Sequence, residues 1–255
     1  MRRFIARAYQ ALQYLLLALE HPALALEVLR LLLTERSYLR EWLRLQEAAW
    51  LRQAGIRTVL DVGAYKGSFS YGVMRTLPQA HIYAFEPLPD HFAALKKLEG
   101  RARLKAFPVA LGNAQGETSF HRSAFSASSS VLVMSAAHRE AFPETAGGEE
   151  VRVALGRLDD YATELALERP ALLKVDVQGY ELEVLKGALE TLKAVDYALV
   201  EISLAPLYEG QPSFDAIYAF MDAQGFEYAG DFDQLLSRQD GRVLQVDAIF
   251  VRRGP

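Results

Sequence analysis

From Ile56 onward the chain alternates between two kinds of hydrophobic pattern, and this constrains the fold more than any other feature. RTVLDV is a short β-branched run, followed by a helix-like stretch to Leu77. HIYAFEP reads as a second strand, DHFAALKKLEG as a second helix and RLKAFPVAL as a third strand. ALLKVDV and YALVEIS are two more strands, separated by the helical ELEVLKGALETLKA. FDAIYAFMDAQG reads as a helix closed by Gly225, and FEYAG and QVDAIFVRR are the last two strand candidates. Strands alternating with helices predict βαβ units and a mostly parallel sheet. Two closing strands with no long helix between them predict an antiparallel edge.

The rhythm fails between Gly112 and Tyr161. GETSFHRS and EEVRVALG look extended, and SASSSVLVMSAAHREAFPETAGG between them is rich in small and polar residues. An insertion after the C-terminal end of a strand sits over the ligand face of an α/β sheet. Residues 112–160 are therefore expected to cover the active site of an α/β domain spanning 54–255.

Residues 1–53 read as an all-helical extension, dominated by Leu, Ala, Arg and Glu. Pro22 is placed to open the second helix. Thr34 or Ser37 is placed to cap a third, with Glu41 near its first turn. MRRFIARAYQALQYLLLAL mimics a signal peptide, but its uncharged run, Ala8 to Leu19, is too short to span a bilayer. It lacks a small-residue cleavage site, so helices rather than export are expected. The segment holds eight Arg and five Glu, a net of +3, which leaves −7 for the rest of a chain of net charge −4. A helical cap on the main domain is the plain reading. A homodimer through these helices and a membrane-surface face rimmed by Arg are the sharper ones.

Hydrophobic residues make up 51% and charged residues 24% of the 255, a balance able to bury a sizeable core. The acidic α/β portion shows no polybasic run, basic aromatic stripe or N-P-P-Y-type tetrad, so nucleic acid is not the expected partner. Cysteine is absent, which excludes disulfides, thiolate metal sites and a cysteine nucleophile. This fits a reducing compartment, and a cytoplasmic location is expected.

Chemistry concentrates first in TVLDVGAYKGSF, residues 58–69. Parallel sheets bind ligands beyond the carboxyl ends of their strands. Gly63 and Gly67 allow a tight turn and close approach of a ligand, and the following helix offers free N–H groups. Glu86, 19 residues after Gly67, ends the second strand, where a carboxylate grips a ribose diol. The form D-x-G-x-x-x-G, with Tyr65 and Lys66 between the glycines, lacks the G-x-G-x-x-G cluster that a pyrophosphate needs. This disfavours a nicotinamide-dependent oxidoreductase. It suits S-adenosyl-L-methionine, which has no phosphates.

In order, VLDVGAYKGSFS, YAFEPLPDHFAALKK, PVALGNAQGETSF, SASSSVL, VRVALGRLDDY, LLKVDVQGYELEVLKGA and YALVEIS resemble the FkbM-type S-adenosylmethionine-dependent methyltransferases. The likeness runs from about residue 57 to the end. It implies a doubly wound seven-stranded class I methyltransferase sheet and methyl transfer to a hydroxyl of a small molecule or glycan. It also implies cofactor contacts by Asp61, Gly63, Ala64, Gly67, Glu86, Pro87, Ala110, Leu111 and Asp176. Two positions depart from the family: Gln178 stands where Glu is usual, and Tyr65 where Asn is common. Gln178 can neither act as a base nor carry charge, so a non-catalytic cofactor-binding module is the alternative.

Asp176 and Glu201, each at or near the end of an apolar run, are the candidate catalytic residues. Asp176 is read as orienting the acceptor hydroxyl or taking its proton, or equally as capping the next helix or holding the cofactor amine. Glu201 is read as binding the acceptor, acting as base or satisfying a buried neighbour. Two carboxylates do not establish a metal site, and none is assigned. His121 and His138 are lesser candidates for the base. Lys174 could face either side of its strand, and Ser128, Ser129 and Ser130 could donate hydrogen bonds to a ligand.

Overall fold

The computed structural model describes residues 12, 14, 16, 19, 22, 25–100, 103–123, 128–142, 145, 147–237 and 239–254. Much of the uncharged run from Ala8 to Leu19, and residues 124–127 of the serine-rich loop, lie outside the described residues.

Among the described residues, Leu12, Tyr14, Leu16 and Leu19 are helical, and three bounded helices follow: α1 (Ala25–Thr34), α2 (Arg36–Glu47) and α3 (Ala49–Gln53). Then follow β1 (Thr58–Val62), α4 (Ser68–Thr76), β2 (His81–Phe85), α5 (Pro89–Glu99) and β3 (Leu104–Phe107). The middle region holds β4 (Ala110–Leu111), β5 (Gly116–Ser123), α6 (Ala136–Ala141) and β6 (Gly148–Gly156). The chain closes with β7 (Ala171–Val175), α7 (Glu181–Lys186), α8 (Leu189–Lys193), β8 (Tyr197–Ser203), α9 (Phe214–Ala223), β9 (Phe226–Leu236) and β10 (Val243–Arg252).

Seven strands form one sheet in the order β3-β2-β1-β7-β8-β10-β9. The first five are parallel, and β10 runs antiparallel between β8 and β9. The order reverses between β1 and β7, so their loops diverge and leave a crevice at their carboxyl ends. TVLDV and ALLKV are buried at every position because helices cover both faces of the sheet. On one face Val59, Ile82, Leu172 and Leu199 pack with Leu39, Trp42 and Leu45 of α2. On the other, Leu60, Phe85, Leu173 and Val200 pack with Val184, Leu185, Ile217 and Met221. Gly72 of α4 lets α2 come close: a Cβ there would lie 2.7 Å from Leu45 Cδ1.

Three local expectations change, and the one for Pro22 falls where residues 23 and 24 lie outside the described residues. The α2 N-cap is Glu35, without a side-chain cap; Thr34 ends α1, and its hydroxyl donates to Arg30 O. The first described helix after Pro22 begins at Ala25. RLKAFPVAL divides into β3 and β4, because Pro108 has no N–H to continue the ladder. Phe107 O instead accepts from Glu86 N and Val109 N, both at 3.1 Å. ELEVLKGALETLKA divides at Gly187, where a Cβ would meet Gly112 O at 1.9 Å. The two extended pieces of the middle region pair antiparallel as β5 and β6, and with β4 they form a separate three-stranded sheet.

Candidate active site

The crevice opens into a cavity of about 620 Å³, within the range of small-molecule sites. Its lining joins Gly63, Ala64, Glu86, Pro87, Ala110, Leu111, Asp176 and Glu201, eight of the ten cofactor-contact and catalytic candidates read from the sequence. Asp61 and Gly67 do not line it. Asp61 is fully buried, where its Oδ2 accepts from Ser70 Oγ at 2.7 Å. The small sheet and its loops contribute Phe120, Ser129 and Val131, and α2 contributes Ser37, Arg40, Glu41 and Arg44.

On the β1–β2 side the backbone does most of the positioning. Gly63 N and Ala64 N both donate to Phe85 O, at 3.1 and 3.0 Å, which hooks the first loop onto the end of β2. Glu86 is 5% exposed. Its Oε2 accepts from Tyr65 N and its Oε1 from Leu88 N, each at 2.9 Å, and His91 Nδ1 lies 3.4 Å from Oε1. Oε2 thus keeps a second lone pair for a ligand hydroxyl. The two glycines serve the protein's own packing. At Gly63 (φ 78°) a Cβ would lie 1.9 Å from Asp176 O, and at Gly67 (φ 88°) it would lie 2.7 Å from Leu98 Cδ1. Tyr65, at φ 53°, takes a left-handed turn that Asn adopts more readily, which is the structural consequence of that departure.

On the β7–β8 side the work is done by side chains. Lys174 faces the site: its Nζ lies 3.3 Å from both Asp61 Oδ1 and Asp176 Oδ2. Burial opposes its charge, but Asp176 and Asp61 hold the ammonium above its ordinary value. Gln178 (φ 60°) turns its side chain back across the strand ends. Its Nε2 donates to Asp176 Oδ1 at 2.8 Å and to Glu201 Oε2 at 2.5 Å, while its Oε1 accepts from Tyr208 OH at 2.6 Å. Ser130 Oγ donates to Gln178 O at 2.7 Å, which pins the turn. The amide that departs from the family pattern thus bridges the two acids.

The acids differ in charge. Burial works against ionisation of Asp176, yet Lys174 and the Gln178 amide hold its carboxyl below the usual range. Burial pushes Glu201 well up, and repulsion from Asp176, Asp247 and Glu181 adds to it. The surroundings thus favour the charge on Asp176 and the proton on Glu201. Burial raises Asp247 to about 6 despite Arg44 Nη1 at 2.8 Å, and it raises Glu181 to about 7. Glu181 Oε1 accepts from Val177 N and Gly179 N at 3.1 and 2.9 Å, fixing the loop between β7 and α7.

Tyr208, Glu181, Asp247 and Arg44 were not flagged from sequence; an acid inside the apolar run QVDAIFV was the one available signal, for Asp247. His138 is buried against Tyr208 and Phe142, outside the cavity lining. His121 pairs through its backbone with Ser130 and also lies outside the lining. Among the described residues, no group of three or more His, Asp and Glu is placed to hold a metal ion.

The crevice fits a cationic, diol-bearing cofactor. Glu86 faces the cavity, Phe85, Val109, Ala110 and Leu111 give an apolar wall, and Asp176 and Glu201 stand at the floor beside Lys174. This is the arrangement of an S-adenosylmethionine-dependent methyltransferase. The model of the methyltransferase FkbM domain matches residues 61–228, and the chain belongs to that family. It is 31% identical to 2-O-methyltransferase NoeI of Sinorhizobium fredii over 181 residues, covering 68% of this chain and 74% of that one. It is 32% identical to hexuronic acid methyltransferase AglP of Haloferax volcanii over 126 residues, about half of each chain (49% and 48%). It is 26% identical to 31-O-demethyl-FK506 methyltransferase FkbM of Streptomyces tacrolimicus, covering 82% and 84%.

Proposed function

We propose that this protein transfers a methyl group from S-adenosylmethionine to a hydroxyl of a small molecule or glycan. The observation that carries this is the meeting, in one cavity, of the Glu86 loop with the Asp176–Gln178–Glu201 bridge. The relatives named for a 2-O position, a hexuronic acid and a 31-O position support the acceptor class. Nucleic acid is not the acceptor we propose. The cysteine-free composition supports a cytoplasmic setting.

When bound, S-adenosylmethionine supplies a methyl group on a sulfonium, activated for in-line displacement. The protein's part is alignment and proton management. Glu86 offers acceptors to the ribose diol. Asp176, the anion, takes the acceptor's hydroxyl proton. Gln178 keeps Asp176 and Glu201 at fixed separation, and Tyr208 fixes which end of the amide faces them. Residues 54–255 act in this reading as the methyltransferase domain, with 112–160 as its cover. The extension 1–53 supplies a wall through α2.

Calorimetric titration with S-adenosylmethionine and S-adenosylhomocysteine, with NADH as control, tests the cofactor half. Micromolar binding of the first two, lost in Glu86→Ala, is expected; a folded protein that binds neither would sink the reading. A panel of hydroxylated sugars with radiolabelled methyl donor then tests the acceptor half.

A further inference from the structure

Six leucines between residues 12 and 33 stand in solvent: Leu12 (51% exposed), Leu16 (47%), Leu19 (66%), Leu26 (83%), Leu29 (54%) and Leu33 (79%). The proposed chemistry uses none of them. In α1, Leu26, Leu29 and Leu33 fall within an arc of about 60°, at roughly 100° per residue. The opposite face of the same helix is core: Val28 is 2% exposed and Leu31 is fully buried. Leu12, Leu16 and Leu19, four and then three apart, span a similar arc at helical pitch, with Tyr14 between them buried at 5%. Core burial on one side and exposed leucine on the other mark a surface that meets an apolar medium.

The charges select the medium. Arg30 borders the α1 stripe and Arg36 follows its end; both are exposed. Of the two acids of this stretch, Glu27 turns to the main body, and Glu35, exposed beside Arg36, stands at the rim of the cavity. Glu27 Oε1 accepts from Tyr71 OH at 2.8 Å, and Glu27 also pairs with Arg75 of the main body. A second copy laid on the stripe would bring arginine against arginine, with no exposed acid of α1 to answer it. An acidic headgroup layer offers apolar depth for the leucines and counter-charge for the arginines together. Arg30 and Arg36 are the positive charges that stand beside the α1 stripe itself.

We propose that the leucine stripe of α1, with Arg30 and Arg36 at its edge, docks this enzyme on the surface of an anionic lipid bilayer. The helix lies in the headgroup region and does not cross; no helix among the described residues is long and apolar enough to do so.

Sedimentation of the full chain with vesicles of 30% phosphatidylglycerol in phosphatidylcholine tests this, against vesicles of phosphatidylcholine alone. Expected are binding to the anionic vesicles, at least tenfold weaker binding to the neutral ones, and at least tenfold loss in Leu26→Ser/Leu29→Ser/Leu33→Ser. Arg30→Gln/Arg36→Gln should lose several-fold on anionic vesicles only. Circular dichroism and S-adenosylhomocysteine titration confirm that the variants are folded with an intact cofactor site, so failure here is separate from failure of the methyltransferase reading. Folded wild type that ignores anionic vesicles overturns the proposal, as does binding that survives the triple substitution. A dimer in light scattering that the triple substitution dissociates, without vesicle binding, assigns the stripe to a second copy instead.

Discussion

The two sides of the crevice are built by different means. Beside β1 and β2, the Glu86 carboxylate is held by backbone N–H groups, and the loop is tied to a backbone carbonyl. Beside β7 and β8, the acids are held by a side-chain amide, a buried ammonium and a tyrosine hydroxyl. Backbone donors neither titrate nor disappear on substitution. Side-chain networks do both, and a buried one is costly when incomplete. In the function we propose, the cofactor side is set by the fold, and the reacting side by a handful of replaceable groups.

The largest expected effect breaks the reacting side. Asp176→Asn should lower kcat by about 10²–10⁴-fold while changing S-adenosylhomocysteine affinity by less than about tenfold; kcat within tenfold of wild type would remove Asp176 as proton acceptor. Glu86→Ala should do the reverse. Losing the charged partner of the ribose hydroxyls should weaken cofactor binding by about 10–100-fold with kcat nearly kept at saturation, read by calorimetry.

Glu181 sharpens the comparison through stability. Its carboxyl sits at about 7 in the folded protein, against an ordinary 4.5. The folded state thus binds this proton more tightly than the unfolded chain does. The stabilisation is complete below pH 4.5 and is lost as pH rises through 7. Between pH 5 and 8, urea unfolding of Glu181→Gln should lack a decline of about 1–3 kcal/mol that wild type shows.

Gln178→Glu puts a third carboxyl between two acids. It should move the rise of the pH–activity profile upward by about one unit, since another charge disfavours ionisation nearby; an unmoved profile would mean the amide's neutrality is irrelevant. Tyr208→Phe is the smallest change. It should cost about 1 kcal/mol, seen as a several-fold fall in kcat with KM for the cofactor unchanged.

Much of this was legible in the sequence, and the reason is locality. The alternation of strands and helices predicted a mostly parallel sheet with an antiparallel edge, because each element carries its own period; the count of seven strands came with the family resemblance. Asp61, Gly63 and Glu86 belong to one contiguous strand–turn–helix–strand stretch, and Asp176 and Glu201 sit at strand ends that topology brings together. The illegible parts depend on long separations. Arg44 meets Asp247 across 203 positions, and Tyr208 meets Gln178 across 30 with a strand between. Nothing in either local pattern announces the other partner. Gly63 shows a subtler gap: its spacing marked the turn, but the neighbour that requires glycine there, Asp176 O, lies on another loop.

Arg44 carries one further consequence. From α2 it donates to Asp233 on β9 and Asp247 on β10, at 2.9 and 2.8 Å, and Asp247 in turn raises Glu201. The stretch that identifies the family, 61–228, contains neither Arg44 nor the aspartates it holds. The recognisable domain is thus not a portable cassette. Grafting it between relatives would carry over Glu86, Lys174, Asp176, Gln178 and Glu201 together, but the charge of Asp247 that adds to the rise of Glu201 would come from whatever helix and edge strands the host provides.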